Sequence, residues 1–334
     1  MLFVHPLAGS AEARHPLAYT GGLWQSLIAR CGSRAAADKP YPWPLKPFRQ
    51  QHPIRGFFGD PRTLVTNVQQ PPTPDSPGSF SFHNGVDIYA PPDAKVYPVV
   101  SGRARVANAQ EVVVRTRDGR TFQYWHVLPL VHTGSWVTAS KTVLGTAIPR
   151  RGHVHLTEIR GDCAVNPLAP GHLEPYQDAS QPEVVALNAI GPAGTHLDPT
   201  QIAGPFELVV QAQDLPPFPV PPPWQDLPVT PATVKWRLTR SDGRVLVPWT
   251  FAADFAVTIP PKSDYWRVYA DGSHQNFVGL GSPQLPGVYA FRLTPPSTHL
   301  APGHYTASVA VSTTGGNRST QRLSFRVLPS GSIT

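Results

Sequence analysis

Four histidines and one aspartate stand in three short stretches of this chain: His83-Asn84-Gly85-Val86-Asp87, Tyr124-Trp125-His126 and His153-Val154-His155. Two imidazoles and one carboxylate are the usual protein ligands of a zinc ion that keeps one coordination place open. A water bound there becomes acidic enough to supply hydroxide near neutral pH. Two further imidazoles beside it would move protons. The chemistry these residue types offer is hydrolysis by a metal-activated water. Competing chemistries have less behind them. There is no Gly-x-Ser-x-Gly elbow for a serine nucleophile, and Cys163 has no identifiable partner base. A closed structural site with Cys163 as fourth ligand would leave no place for water.

The elements around these residues must bring them together. Val154, Leu156 and Ile159 favour a strand, and residues two apart on a strand share a face, so His153 and His155 point the same way. One can bind metal while the other stands next to the bound water. His83 and Asp87 would lie about 13 Å apart in an extended strand, so their convergence needs a bend. Asn84-Gly85 can provide it, because Gly accepts backbone angles closed to other residues. His126 follows Phe122 and Tyr124 on one strand face, and Tyr124 reads as a core or rim residue or as a hydrogen-bonding group near the site. The clearest hairpin is Glu111–His126, folded about Asp118-Gly119. A simple two-residue turn there sets Arg117 against Arg120 and Glu111 against His126, a carboxylate behind a candidate catalytic imidazole. Each motif alone also fits a polar sheet face or an ordinary turn. His52, His132 and His172 read as structural or surface residues.

The chain has 334 residues, with 41 Pro and 27 Gly. Together these make up about a fifth of the chain, against roughly 12% in average usage. Long helices are disfavoured, because Pro removes a donor and Gly costs backbone entropy. A hydrophobic content of 40% still argues for a packed core. The pattern predicts an all-β protein. Residues 1–40 read as a weakly ordered segment or leader remnant, with a helical turn or two around Leu23, Leu27 and Ile28. Short apolar runs then fill 41–175. Residues 176–203 read as a linker. A second β region, 204–330, contains the alternating runs Tyr305–Ser312 and Leu323–Val327 and an Asp242-Gly243 hairpin, the pattern of an immunoglobulin-like β-sandwich. Leu215–Pro223 is too Pro-rich for a central strand and reads as a polyproline connection or an inserted loop.

The net charge of +7 suits an anionic partner. No basic run interleaved with aromatics and no zinc-finger or helix-turn-helix pattern is present, so nucleic acid is not the expected partner. No stretch approaches the roughly 18 apolar residues of a membrane span, and no clear signal peptide stands at the start. The two cysteines, Cys31 and Cys163, can pair in an oxidising compartment or stay as separate thiols.

Taken in order, these stretches resemble the lysostaphin-type (duplicated hybrid motif) zinc metallopeptidases, which are peptidoglycan endopeptidases. The resemblance runs from about Trp43 to Tyr176. His52 to Arg62 is similar to the family's opening strand, and Phe82 to Pro91 to its first metal motif. Tyr124-Trp125-His126-Val127 is similar to its Tyr-x-His-Leu stretch, Gly134 to Gly145 to its glycine-spaced segment, Gly152 to Leu156 to its second metal motif, and Val165 to Leu168 to its exit. The departures are a Thr146–Arg151 loop without the usual Gly-Thr-Gly-like run, and Thr157 where Glu is frequent, with Glu158 one place later. The resemblance implies a lysostaphin-type antiparallel β-sheet domain holding one zinc on His83, Asp87 and His155, with His126 and His153 as catalytic imidazoles. It implies a peptidoglycan peptide as substrate and an extracytoplasmic location, secreted or in the cell envelope. Wall polymer or another protein is a possible partner of the C-terminal region. The alternative is a catalytically inactive wall-binding or regulatory protein on the same scaffold.

Overall fold

The apolar runs between Gly and Pro form strands, twenty of them among the described residues. The computed structural model describes residues 17, 19–35, 39–65, 70–279 and 284–329. The chain is all-β, built of antiparallel sheets.

The largest sheet comprises β1 (Ile54–Gly56), β4 (Val86–Tyr89), β6 (Gly102–Asn108), β7 (Glu111–Thr116), β8 (Arg120–Trp125), β10 (Trp136–Val137) and β12 (His153–Arg160), in the order β1-β4-β12-β8-β7-β6-β10, with β13 (Cys163–Val165) also paired to β12. Beside it lie a β2 (Pro61–Val65) and β3 (Gly78–Phe82) ribbon and a small sheet of β5 (Lys95–Val96), β11 (Gly145–Ala147) and β9 (Val127–Pro129). Register in the large sheet positions the site. His155 pairs with Asp87 on one side and Trp125 on the other, Asp87 pairs with Gly56, and Trp125 with Glu111. These residues form one row across five strands, so their side chains compete for one patch of one face.

The β7–β8 hairpin differs by one residue from the two-residue turn expected about Asp118-Gly119. Arg115 pairs with Thr121 and Glu111 with Trp125, leaving three residues, Arg117-Asp118-Gly119, in the loop. Gly119 takes φ +86°, the left-handed place that closes a three-residue hairpin. Asp118 braces the loop by accepting from Arg120 Nη2 at 2.7 Å and Nε at 2.9 Å. Glu111 therefore does not oppose His126; it accepts from Asn108 Nδ2 at 2.9 Å.

Where a turn or two of helix was expected, α1 runs Gly21–Ala35. Trp24, Leu27 and Cys31 form a buried stripe at helical spacing. Trp24 Nε1 donates to Ala252 O at 2.9 Å and Thr20 Oγ1 to Phe251 O at 2.8 Å, which docks the helix on the C-terminal region. Residues 1–16, within the segment read as a leader remnant, lie outside the described residues. The question left open by the two cysteines has an answer: Cys31 and Cys163 are disulfide-bonded, 132 residues apart. A bridge closing so long a loop removes much denatured-state entropy. Cys31→Ser with Cys163→Ser is expected to lose roughly 3–5 kcal/mol of stability in denaturant titration.

The segment read as a linker, 176–203, contains β14 (Glu183–Ile190). It pairs with β15 (Glu207–Gln213), which pairs with β18 (Ala290–Arg292). Val184, Leu187 and Ala189 had no sustained period to betray them, and the bulge at Val184/Ala186 breaks the alternation. The second sheet of this region is β17 (Val245–Asp254), β16 (Thr233–Arg240), β19 (Gly303–Ser312) and β20 (Arg318–Val327), in that order. Both expected hairpins, at Asp242-Gly243 and between β19 and β20, are present. Residues 215–223 form no strand, as their proline content required.

The N- and C-terminal regions share a core. Phe82 packs against Phe255, Tyr265 and Tyr269 at ring separations of 5.6–5.9 Å. Tyr269 donates its hydroxyl to Gly59 O at 2.8 Å, and Thr230 N donates to Asp60 Oδ1 at 2.9 Å. One buried acid nearby makes stability depend on pH. Burial first, and the Asp178 charge second, push the Asp214 carboxyl from 3.8 up to about 7. A folded value above the unfolded one means the native state holds the extra proton, so stability falls as pH rises from about 4 to about 7 and is flat above. Asp214→Asn is expected to flatten this dependence and to raise the melting temperature at pH 8, read by thermal unfolding across that range.

Candidate metal centre

His83 leaves β3 at the turn before β4, Asp87 sits on β4, and His155 sits on β12. Among the described residues they are the one group of three or more His, Cys, Asp or Glu whose donor atoms all lie within 4.8 Å of one another. His83 Nε2 is 2.8 Å from His155 Nδ1 and 3.2 Å from Asp87 Oδ1, and His155 Nδ1 is 3.0 Å from Asp87 Oδ1. A tetrahedron with bonds of roughly 2.0–2.1 Å has edges of about 3.3 Å. The donor set, its near-equilateral spacing and its buried position fit a zinc ion.

The unused side of each donor is tied back. His83 Nδ1 donates to Phe57 O at 2.7 Å, which leaves Nε2 its lone pair. His155 Nε2 meets Thr157 Oγ1 at 2.8 Å, so Thr157 supplies the outer partner of this donor. Glu158 points to the opposite face, fully buried, accepting from Tyr41, Arg160 and His172. Arg62 Nη2 donates to Asp87 Oδ2 at 2.7 Å, which holds that oxygen and frees Oδ1. Burial alone would raise the Asp87 carboxyl, but His83, His153 and Arg62 around it hold it well below the usual carboxylate range. Burial, reinforced by Arg62, lowers His83 to about 3. Asp87 is therefore an anion and His83 a neutral imidazole at neutral pH, the forms a metal requires.

Gly85 serves this convergence through space rather than an unusual φ. A Cβ there would lie 2.3 Å from Leu156 O and 2.9 Å from His155 Nε2. Gly85→Ala is expected to push β12 away and weaken zinc binding by at least about 10-fold, the scale for lost outer-shell support, measured by competition with a chromogenic chelator.

His126 and His153 lie next to the trio, with ring centroids 4.5 Å apart. His153 Nε2 is 3.4 Å from Asp87 Oδ1, and its Nδ1 donates to Arg151 O at 2.8 Å. Burial, with the Arg55 charge, outweighs the opposing pull of Asp87 and keeps His153 well below the ordinary imidazole value; burial lowers His126 to about 4. The expected placement of His126 on the Phe122/Tyr124 face needs correcting. Phe122 and Tyr124 are fully buried in the core, and Tyr124 OH accepts from Val99 N at 2.8 Å, away from the site. His126 adopts φ +62°, held by Ile148 N donating to its carbonyl at 2.9 Å. That left-handed residue ends the strand and turns the imidazole to the other side, beside Gln123 and Trp125.

These side chains open into a cleft of about 470 Å³ that also includes Arg55, Arg151, Trp224 and Gln275. Trp224 and Gln275 come from the C-terminal region and were not singled out from sequence. Neither was Trp125, although strand alternation sets it opposite in facing to Tyr124 and so toward the site.

No protein-family model matches this chain, and no curated protein does. Solved structures show likeness to part of it. The SpoIIQ–SpoIIIAH pore-forming complex contains a chain 20% identical, covering 39% of this chain and 89% of that one at a TM-score of 0.30. The M23 metalloprotease pseudoalterin from the deep sea is 14% identical over 41% of this chain and 79% of its own, TM-score 0.26. Helicobacter pylori Csd3 is 18% identical over 34% of each chain, TM-score 0.25; this chain thus spans about a third of Csd3.

Proposed function

We propose that the chain is a zinc-dependent metalloendopeptidase that hydrolyses peptide bonds of bacterial peptidoglycan, in the stem or the cross-bridge. The observation that carries the reading is the meeting of His83, Asp87 and His155 donors within 2.8–3.2 Å of each other, from the β3–β4 turn, β4 and the sequence-distant β12. The peptidoglycan substrate follows from the ordered motifs between Trp43 and Tyr176 that resemble the lysostaphin-type peptidases. We assign the catalytic unit to 41–175, with 204–330 packed against it.

Bound zinc supplies a Lewis acid and an acidified water. The protein supplies orientation and proton movement. With Nδ1–H committed to Arg151 O, a neutral His153 presents the Nε2 lone pair to the cleft, the arrangement of a proton acceptor. His126, 4.5 Å away, is placed to donate to the departing amine or to the oxyanion. The charge of +7 suits an anionic wall. The Cys31–Cys163 bridge suits an oxidising compartment, so the working location is outside the cytoplasm.

Digestion of defined muropeptides by the full chain, with products read by mass, tests this. New amine and carboxyl ends at one peptide bond, abolished by EDTA and restored by one equivalent of zinc, are expected. Unchanged muropeptides in the presence of zinc would sink the reading.

A further inference from the structure

The cleft carries more positive charge than the metal chemistry uses. Of its arginines, Arg62 is committed to Asp87. Among the described residues, no carboxylate pairs with Arg55. Its guanidinium stacks on the Trp224 ring, Cζ 3.9 Å from the centroid, and one Nη reaches His153 Nε2 at a long 3.4 Å. Its Nε is buried with no hydrogen-bond partner. The other acid lining this side of the cleft is spoken for: Asp60 accepts from Phe57 N at 2.8 Å and Thr230 N at 2.9 Å. Arg151 lines the same wall and is exposed.

An arginine fork seated over an indole, with donors left over and a second arginine lining the same cleft, matches a carboxylate in geometry and charge. The stacking removes side-chain freedom before any ligand arrives, which lowers the entropy lost on binding. Because Arg55 touches His153, a carboxylate on it lies within about two residues of the reacting bond, at roughly 3.3 Å per extended residue. Trp224 belongs to the C-terminal region, in the connection that follows the Pro-rich stretch 215–223. That region therefore shapes the recognition site.

We propose that Arg55, braced by Trp224, is a subsite for a carboxylate of the peptide substrate, either a terminal α-carboxylate or an acidic side chain next to the bond that is cut. This rests on the cleft being the peptidase site, yet it is testable without catalysis. The probes are acetyl-Ala-Ala-Ala as free acid and as amide, and acetyl-Ala-Glu-Ala-amide against acetyl-Ala-Gln-Ala-amide. Binding to the full chain is measured by calorimetry in EDTA and again with one equivalent of zinc. In EDTA, the acid of at least one pair is expected to bind about 10-fold tighter than its neutral partner, as a charge-assisted bidentate contact gives; the responding pair identifies the source of the carboxylate. Arg55→Gln is expected to cut that preference below about 2-fold, and Arg55→Lys and Trp224→Ala to leave an intermediate one. No preference by the wild type in either pair overturns the proposal, whatever the variants do. So does a preference that survives in Arg55→Gln, or one that appears only with zinc. Failure of muropeptide cleavage, by contrast, counts against the peptidase reading and leaves the EDTA measurement standing.

Discussion

His126→Ala and His153→Ala are expected to keep one zinc per chain and to lose muropeptide cleavage by about 10²–10⁴-fold, the usual contribution of a positioned acid or base. Neither imidazole belongs to the converging trio. The trio's mutual distances, 2.8–3.2 Å, involve His83, Asp87 and His155 alone. His153 stands just outside it, with Nε2 3.4 Å from Asp87 Oδ1, and His126 stands beyond His153 at a ring separation of 4.5 Å. His153 as acceptor and His126 as donor serve the same reaction, and residues that serve one reaction together act as a unit. The double variant should therefore fall about as far as the worse single one, not by the product of the two. His126 at φ +62° costs the native backbone about 1–2 kcal/mol, and alanine there keeps most of that cost, so folding should change little. Zinc content by atomic absorption, the melting curve and product mass together separate the roles. A variant that binds zinc, folds and cleaves as wild type would remove that imidazole from the mechanism.

Strand geometry and residue type brought the histidines and Asp87 into one candidate cluster but left open which of His153 and His155 joins it; the choice of His155 came from the family resemblance, and its donor is the one that converges with His83 and Asp87. A period of two puts His153 and His155 on one face, and the short His83–Asp87 spacing with an intervening Gly leaves room for two donors to meet. The reason assigned to Gly85 was incomplete: what matters is the space a Cβ would take from Leu156 O, a contact with a strand some seventy residues on. The hairpin register went astray by one because Asp118-Gly119 fits both a two-residue turn and the last two places of a three-residue loop, and only the pairing decides. His126 was misfaced because periodicity assumes an extended residue, and a single left-handed φ reverses the direction. Trp224 and Gln275 carry no local signal at all. They reach the cleft because Phe82, Phe255, Tyr265 and Tyr269 fuse the two regions, which is a property of packing across more than 170 positions. Helix α1 was under-read for a related cause. Its apolar stripe is only Trp24, Leu27 and Cys31, and it is completed by β17 and by the bridge to Cys163.

Asp87→Ala is expected to abolish zinc binding and with it all cleavage, while Arg62→Ala weakens zinc by only about 10–100-fold, the range for an outer-shell partner. The asymmetry comes from what each side chain touches. Among the described residues, Asp87 is the carboxylate that meets His83 at 3.2 Å, His155 at 3.0 Å, His153 at 3.4 Å and Arg62 at 2.7 Å. Removing it takes away a ligand, and it also strands the Arg62 guanidinium. Asp87→Asn separates these effects. The amide keeps the size and can still meet Arg62 poorly, but offers no charge to a dication, so zinc should be lost here too. Arg62→Ala leaves the carboxylate in place with Oδ2 unheld and Gly56 close beside it, so the ligand gains freedom without losing charge. Titration with zinc in a competing chelator reads all three variants on one scale. Tight zinc in Asp87→Asn, or zinc lost as completely in Arg62→Ala as in Asp87→Ala, would mean that the carboxylate is a structural counter-ion to Arg62, and that the metal is held some other way.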